Sequence, residues 1–588
     1  MNNTTVLNSS TLITMILPLI VLAVVLLTTW RIVRWTSNYL EARSYGLPII
    51  LLPVSFNEPL WMVFRPLFAW VEYLPFGLGN WYLYTTMGWP TEDGTRSVEL
   101  YGESFVLCSP VDNIISTCEP TVLKRVWTEP RDIWRMPESQ SQLFAFFGQN
   151  VSSTHGEDWK RHRKITVPVF TERMMASVWK EARHYTEAIK LTLEKESEKS
   201  VGGIRTMFDV LAMKVLTVVA FGQESELTTV PTGHKLSLME SMEFILKHIL
   251  LTAVFNSLKA PDLLLPRVLR KLKLSVTELR LHMQEIVHAH MQSASTSTSK
   301  PAATGFRATS LIEAMVTANE LEKQGATDGK GRAHLTDSEL YGNIFVYSLG
   351  GYETTASTLA FALPFLALHP DIQDWVHSEL STYTTSKQSK QNLEQEPELK
   401  PDSALDYATV FPNLPRTLAL MHETLRLASP SPLFVKTPLL PIDLDITTPS
   451  GLKTVTVKPG TLVGMNQYGA HLSPRWGPDA ATFNPKRFIV SDTSAKGGEK
   501  FRVPEGPMFC AWQIGGRMCP AKKFSQVEFA GIMSALLSEW RVELLKEERE
   551  SEEQARERVG RVLASEKYFM VSAKLKRPEA VGVRFVKR

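Results

Sequence analysis

Residues 12–30, "LITMILPLIVLAVVLLTTW", contain no charged side chain. A hydrocarbon core about 30 Å thick needs roughly 20 such residues in a helix, so this run commits one end of the chain to a bilayer. Arg31 and Arg34 follow at once, bracketed by Trp30 and Trp35. Positive charge stays cytoplasmic and Trp gathers at the interface, which predicts a lumenal tail at 1–11, a transmembrane anchor at 12–30 and a cytosolic body. A cleaved signal peptide would need a basic segment before the apolar run and a small-residue cleavage site after it, and the sequence has neither. Asn2, Asn3 and Asn8 each open an Asn-x-Ser/Thr acceptor for glycosylation on the lumenal side.

After the anchor, Pro48, Pro53 and Pro59 predict a proline-rich linker over 31–60, with a hinge where a continuous helix is prevented. The segment 61–84 is rich in Trp, Phe and Tyr with few charges, which suits an interfacial belt or a core equally. With 588 residues, 44% of them hydrophobic, the chain can fill a large interior. Lys+Arg 64 against Asp+Glu 61 leaves +3, so nothing in the bulk charge fits a nucleic-acid partner. Cys108, Cys118, Cys510 and Cys519 are scattered without a C-x-x-C, which argues against a disulfide framework or a zinc site and fits a reducing compartment.

Helical periodicity runs through most of the chain to about 440, so the body is mainly α with a small β region. Ser97 to Cys108 reads as two short strands around Gly102, residues 447–465 as a hairpin and "EKYFMVSAKL" as another. Polar stretches at 293–305 and 384–403 read as surface insertions without chemistry.

Chemistry concentrates in "WQIGGRMCPA", residues 512–521. A thiolate binds metal where a thiol does not, and a helix N-terminus lowers the pKa that separates them. Pro520 suits a first helical position, and Phe524, Val527, Ile532, Leu536 and Trp540 follow at near-helical spacing, so Cys519 should stand at a helix start. Gly515 and Gly516 permit positive φ and close approach to a flat ligand, and Arg517 offers a planar fork for a carboxylate. Heme has both the plane and the carboxylates.

Trp512, Gly515, Arg517, Cys519 and Ala521 resemble F-x-x-G-x-R-x-C-x-G, the signature of the cytochrome P450 heme-thiolate monooxygenases. Trp replaces the leading Phe and Ala the final Gly, each keeping the character of its position. The resemblance extends to four further patterns. Trp159 and Arg163, one helical turn apart, match W-x-x-x-R and would face heme propionates. Thr336 and Glu339 form a capping box that opens a helix of over 30 residues, roughly 50 Å, ending before Pro370. In its middle Gly350 and Gly351 each cost about 1 kcal/mol relative to Ala, and Glu353, Thr354 and Thr355 follow. This matches A/G-G-x-D/E-T-T, which makes Thr354 the oxygen-pocket hydroxyl and Glu353 its acid neighbour. Glu423 and Arg426 match E-x-x-R, and Pro485, Arg487 and Phe488 match P-x-R-F, together a structural clamp behind the heme. Lys436 stands where many relatives direct an Arg at a propionate. His471, Trp476, Gly477 and Asp479 also follow the family's approach to the cysteine loop.

The resemblance implies a prism fold over 61–588 and heme b with axial Cys519. It further implies O2 as co-substrate, electrons from a separate NADPH-cytochrome reductase with cytochrome b5 as a second donor, and an endoplasmic reticulum membrane location. The substrate should be a lipophilic small molecule held near Phe345, Leu349, Leu433 and Phe434, in fungal secondary metabolism. Arg502, Lys522 and Lys523 are candidates for a docking patch. Two other functions fit the same residues: an isomerase or dehydratase of this fold, and a membrane-tethered binder of heme or another ligand without turnover.

Overall fold

One helix, Ser9–Tyr45, contains the whole apolar run and continues well past it. The computed structural model describes residues 9–129, 133–195, 198–222, 229–255, 265–296, 310–325, 334–391, 406–494 and 497–588. Asn2, Asn3 and Asn8 lie outside these, as do 297–305 and 392–403 of the polar stretches. Among the described residues this is the single helix long and apolar enough to cross a membrane, and its apolar window is fully exposed.

No hinge follows the anchor directly. The helix reaches Tyr45 because the first proline to interrupt it is Pro48, and its second half docks on the globular body. Trp35 Nε1 donates to the Cys108 carbonyl at 3.3 Å, and Asn38 exchanges hydrogen bonds with Ser109 and Asn113. Arg31 grips Glu58 at 2.7 Å, while Ala42 and Tyr45 are buried. The apolar helix therefore runs without a break into a segment docked on the body, and much of the segment 31–60 is packed structure.

The small β region is led by a sheet of six strands. Ile49–Leu51, Ser104–Cys108, Asn113–Thr117, Leu462–Asn466, Leu433–Pro438 and Trp134–Arg135 lie side by side in that order. The expected strand pair at 97–108 is a helix, Arg96–Tyr101, followed by the one strand. Gly102 at φ +87 separates them, donating its N–H to the Val98 carbonyl as glycine does at helix ends. The hairpin expected at 447–465 is formed by Ile442–Thr448 and Gly451–Val457, and Leu462–Asn466 leaves it to join the large sheet. "EKYFMVSAKL" does form a hairpin, Lys567–Phe569 with Ala573–Leu575.

Everything else is built around the helix Asp337–Leu368, 32 residues long and buried on nearly all sides. Thr336 and Glu339 cap it reciprocally, at 3.2 and 2.8 Å. It packs against the helices Val201–Leu216, Pro415–Leu427 and Lys522–Leu537, so the segments that carry the sequence motifs converge on one central rod. The aromatic segment is different. Leu60 in the helix Pro59–Phe64, and Leu67, Trp70, Tyr73 and Phe76 along the 3-10 turns Arg65–Tyr73 and Pro75–Gly77 with Leu78 at their end, are exposed.

Candidate active site

Cys519 follows the 3-10 turn Gly515–Arg517, and its N–H donates to the Trp512 carbonyl at 2.8 Å. Gly515 has φ +71, and a Cβ there would stand 2.0 Å from the Trp127 carbonyl oxygen, so the loop is pressed against the helix Pro120–Thr128 where only glycine fits. The next helix starts at Lys522 with Ala521 before it. Pro520 thus lies in the turn that precedes the helix and not at its first position. The helix start still reaches the sulfur through the Ala521 N–H. Desolvation pushes the Cys519 thiol up, and this N–H and the Arg163 charge oppose it. Of the four cysteines it alone is partly exposed, while burial holds the other three at about 12.

Trp159 is buried in the helix Gly156–Thr166, with the Arg163 guanidinium 5.4 Å and that of Arg517 4.7 Å from its ring centre. Arg163 Nη1 is 3.5 Å from the Met518 carbonyl. Arg517 turns its fork to backbone, donating to the Val151 and Thr154 carbonyls at 3.0 and 2.6 Å. It therefore ties the cysteine loop to the start of the Trp159 helix. The charges of Cys519 and Arg163 are felt at Tyr347 on the long helix, so loop, Trp159 helix and rod meet.

Three residues past Tyr347, the two glycines differ. A Cβ at Gly351 would meet Leu216 Cδ1 at 2.8 Å, whereas at Gly350 it would meet nothing within 4 Å. Gly350 is exposed and Thr354 half-buried on a rod whose other central residues are mostly buried. Thr354 Oγ1 donates back to the Gly350 carbonyl at 2.9 Å. Glu353 turns the other way. Its carboxylate pairs with Arg205 at 2.8 Å, accepts from Ser572 Oγ at 2.8 Å and has Lys574 at 3.8 Å. Burial would raise its pKa, but Arg205, then Lys574 and Ser572, hold it below the usual carboxylate range.

Glu423, Arg426 and Arg487 come together as a closed network. Arg426 is wholly buried and donates Nε and Nη2 to Glu423 at 2.7 and 2.8 Å, and Arg487 Nε adds a third bond at 3.1 Å. The Arg426 fork also holds the His471 and Thr482 carbonyls, and Arg487 holds Trp476 and Asp479. His471 Nε2 accepts the Cys510 N–H at 3.0 Å, which joins the clamp to the approach of the cysteine loop. Lys436 lies over the Trp127 ring at 5.1 Å and donates to the Val126 carbonyl, beside Gly515.

Some expected companions are apart. Phe345 and Leu349 belong to the main core, but Leu433 and Phe434 project to opposite faces of the large sheet and join different clusters. Lys522 lies over Trp512, Lys523 pairs with Glu172 and Arg502 with Glu505, so each docking candidate already has a partner. Sequence reasoning missed Arg205, Ser572 and Lys574, because they approach Glu353 from segments 148 to 221 residues away. No spacing rule marks such neighbours.

The open space at Gly350 and the partly exposed sulfur fit a flat macrocycle with one axial thiolate, and Trp159, Arg163 and Lys436 supply polar and cationic groups for its carboxylates. A profile of the family described as Cytochrome P450 matches residues 94–571. The chain is 27% identical to Cytochrome P450 monooxygenase 124 of Postia placenta, over 77% of this chain and 81% of that one. It is 26% identical to the phomenoic acid biosynthesis cluster cytochrome P450 monooxygenase of Leptosphaeria maculans, over 87% and 90%. The retinoic acid bound cyanobacterial CYP120A1 shares the fold, with TM-score 0.61 at 18% identity over 92% of this chain and 100% of that one. Because the profile match runs through every one of these motifs and the fold agrees, the chain belongs to the cytochrome P450 family of monooxygenases.

Proposed function

We propose that the protein is a membrane-anchored monooxygenase of a lipophilic small molecule, with heme b held by Cys519 and electrons delivered by a separate NADPH-dependent reductase or cytochrome b5. The observations that carry this reading are a partly exposed Cys519, paired by no disulfide, whose charge is felt at Tyr347 of the long helix, and the open face at Gly350 and Thr354 further along that helix. Heme, when bound there, supplies an iron that activates O2 so that one oxygen atom enters the substrate and the other leaves as water.

The chain's own residues set the conditions. Ala521 N–H and Arg163 favour the thiolate of Cys519. Trp159, Arg163 and Lys436 would orient the propionates, and Gly350, Trp512 and Ala521 would leave room for a planar group, while Gly351 and Gly515 serve close packing against Leu216 and the Trp127 carbonyl. Thr354 would hold a hydroxyl at the oxygen side, and Glu353, kept ionised by Arg205 and facing away from Thr354, would need to swing its side chain to pass a proton accepted from outside toward that hydroxyl. Glu423, Arg426 and Arg487 fix the proximal scaffold without touching the reaction.

The apolar N-terminal helix and the exposed Leu60, Leu67, Trp70, Tyr73, Phe76 and Leu78 favour a body resting on the cytosolic face of the endoplasmic reticulum, where lipophilic substrates partition. A role in fungal secondary metabolism is supported by the similarity to the Leptosphaeria monooxygenase named for the phomenoic acid biosynthesis cluster. The test is the carbon-monoxide difference spectrum of the reduced protein, followed by a reductase-reconstituted assay over a panel of terpenoids, polyketides and alkaloids. A thiolate-type red-shifted band that is lost in Cys519→Ser, with NADPH-dependent oxygenated product, is expected. An unchanged spectrum in Cys519→Ser refutes the assignment.

A further inference from the structure

Away from Cys519, two histidines and a glutamate come together where no part of the oxidative reading needs them. His234 lies in the loop leading into the helix Leu238–Lys247, and the facing helix Arg267–Thr296 carries Glu278, His282 and Glu285. Residues four and three apart share a helix face, so all three point at the loop. The side chains of His234 and Glu278 are 2% and 5% exposed and His282 is 6% exposed, while Glu285 at 67% opens the cluster to solvent.

His282 Nε2 lies 3.0 Å from the Leu236 carbonyl. A carbonyl only accepts, so Nε2 carries the proton and the neutral ring presents Nδ1 with a free lone pair. Metal-binding histidines are oriented in this way, with the second nitrogen donating to a backbone carbonyl. Donor atoms of His234, Glu278 and His282 lie within 4.8 Å of one another, so they need to close by at most about 1.5 Å to reach the roughly 3.4 Å separation around a shared tetrahedral ion.

We propose that this cluster is a binding site for a divalent transition-metal ion of the zinc class, with Glu278 and His282 as the helix-borne pair, His234 as third ligand and Glu285 closing the site from solvent. Mixed imidazole and carboxylate donors favour Zn2+, Co2+, Ni2+ or Cu2+ over Mg2+ or Ca2+, which take oxygen alone. Occupancy needs one movement. The His234 and His282 rings stack at 3.8 Å and 6°, and an ion lies in the plane of every imidazole that binds it, so stacked rings do not share one. His234 must turn out of the stack, giving up its hydrogen bonds to Glu278 at 2.9 Å and Glu285 at 3.0 Å. The freed carboxylate oxygens then face the ion, which takes over the bridging that His234 provides without it.

The placement gives the ion a consequence. Leu238 and Met242 from one helix and Leu279 and Met283 from the other wall a small apolar cavity against Phe345 and Ser348 of the long helix. Glu278 and His282 immediately precede Leu279 and Met283. An ion at the cluster therefore cross-links the approach to one wall helix with the other and stiffens that cavity.

Calorimetric titration of the chelator-treated, heme-loaded full chain in detergent with Zn2+ is expected to give one saturable equivalent. X-ray absorption at the zinc edge should show two imidazoles with oxygen donors and no sulfur. His282→Ala and Glu278→Gln should each weaken binding at least about tenfold, while His288→Ala, exposed on the same helix, leaves it unchanged. Circular dichroism and the carbon-monoxide spectrum report whether the variants fold. Absence of a saturable equivalent in the wild-type protein, or a zinc environment without two imidazoles, overturns the proposal whatever the variants do and whatever the oxidative activity proves to be.

Discussion

Replacing Glu528 by glutamine isolates the cost of a carboxyl sealed between two helices. Glu528 projects from the cysteine helix with no exposed surface, and neither carboxyl oxygen has a hydrogen bond of ordinary geometry among the described residues. Burial pushes it up to about 8, opposed by the Thr355 hydroxyl of the long helix. An acid whose folded value lies above its ordinary 4.5 holds a proton in the folded state that the unfolded chain has released. Its contribution to stability is therefore fully present below 4.5 and is lost as pH rises toward about 8. The slope is at most about 1.4 kcal/mol per pH unit, so the folded state should lose about 2–3 kcal/mol between pH 6 and pH 8 from this group alone. Glutamine has no proton to lose. Denaturant unfolding of wild type and Glu528→Gln in detergent, each at both pH values, should show the variant losing less stability by about that amount. Parallel pH dependence in the two proteins would refute the assignment of a neutral, sealed carboxyl.

The clamp should fail from the acid side: Glu423→Ala leaves Arg426 buried without its counter-charge and is expected to cost about 3–5 kcal/mol, read as a lower unfolding midpoint and poor heme retention. Gly350→Leu meets open space and should leave the apoprotein at least as stable while reducing heme or substrate binding. Gly351→Leu runs into Leu216 and should destabilise the fold itself by about 1–3 kcal/mol, and thermal unfolding beside heme titration separates the two. Arg205→Leu removes the main opposing charge from Glu353, so its pKa rises and the acid limb of the turnover profile moves to higher pH, with little change in the carbon-monoxide spectrum.

Much of the site was legible because its parts are local. The Thr336–Glu339 cap, the paired glycines at 350 and 351, and Glu423 with Arg426 each occupy a turn or less of helix, where spacing along the chain determines spacing in space. Legibility ended where neighbours came from afar. Arg205 and Ser572 decide which way Glu353 faces, and Trp127 explains why Gly515 must be glycine, yet none lies near its partner in the chain. Pro520 misled as well: its residue type suits a helix start, yet it lies in the turn two residues before Lys522, where the helix begins.

By itself the sequence determined the membrane run, the central rod with its cap, and the residue types gathered around Cys519, since hydrophobic length, periodicity and short-range spacing are properties of consecutive residues. Tertiary structure decided that the N-terminal helix docks on the body at Asn38 and Tyr45, that Glu353 is held ionised away from Thr354, and that His234 meets Glu278 and His282. Each of these depends on burial and charge contributed by chain segments brought together only by packing, and desolvation is a property of the folded surroundings rather than of any residue alone.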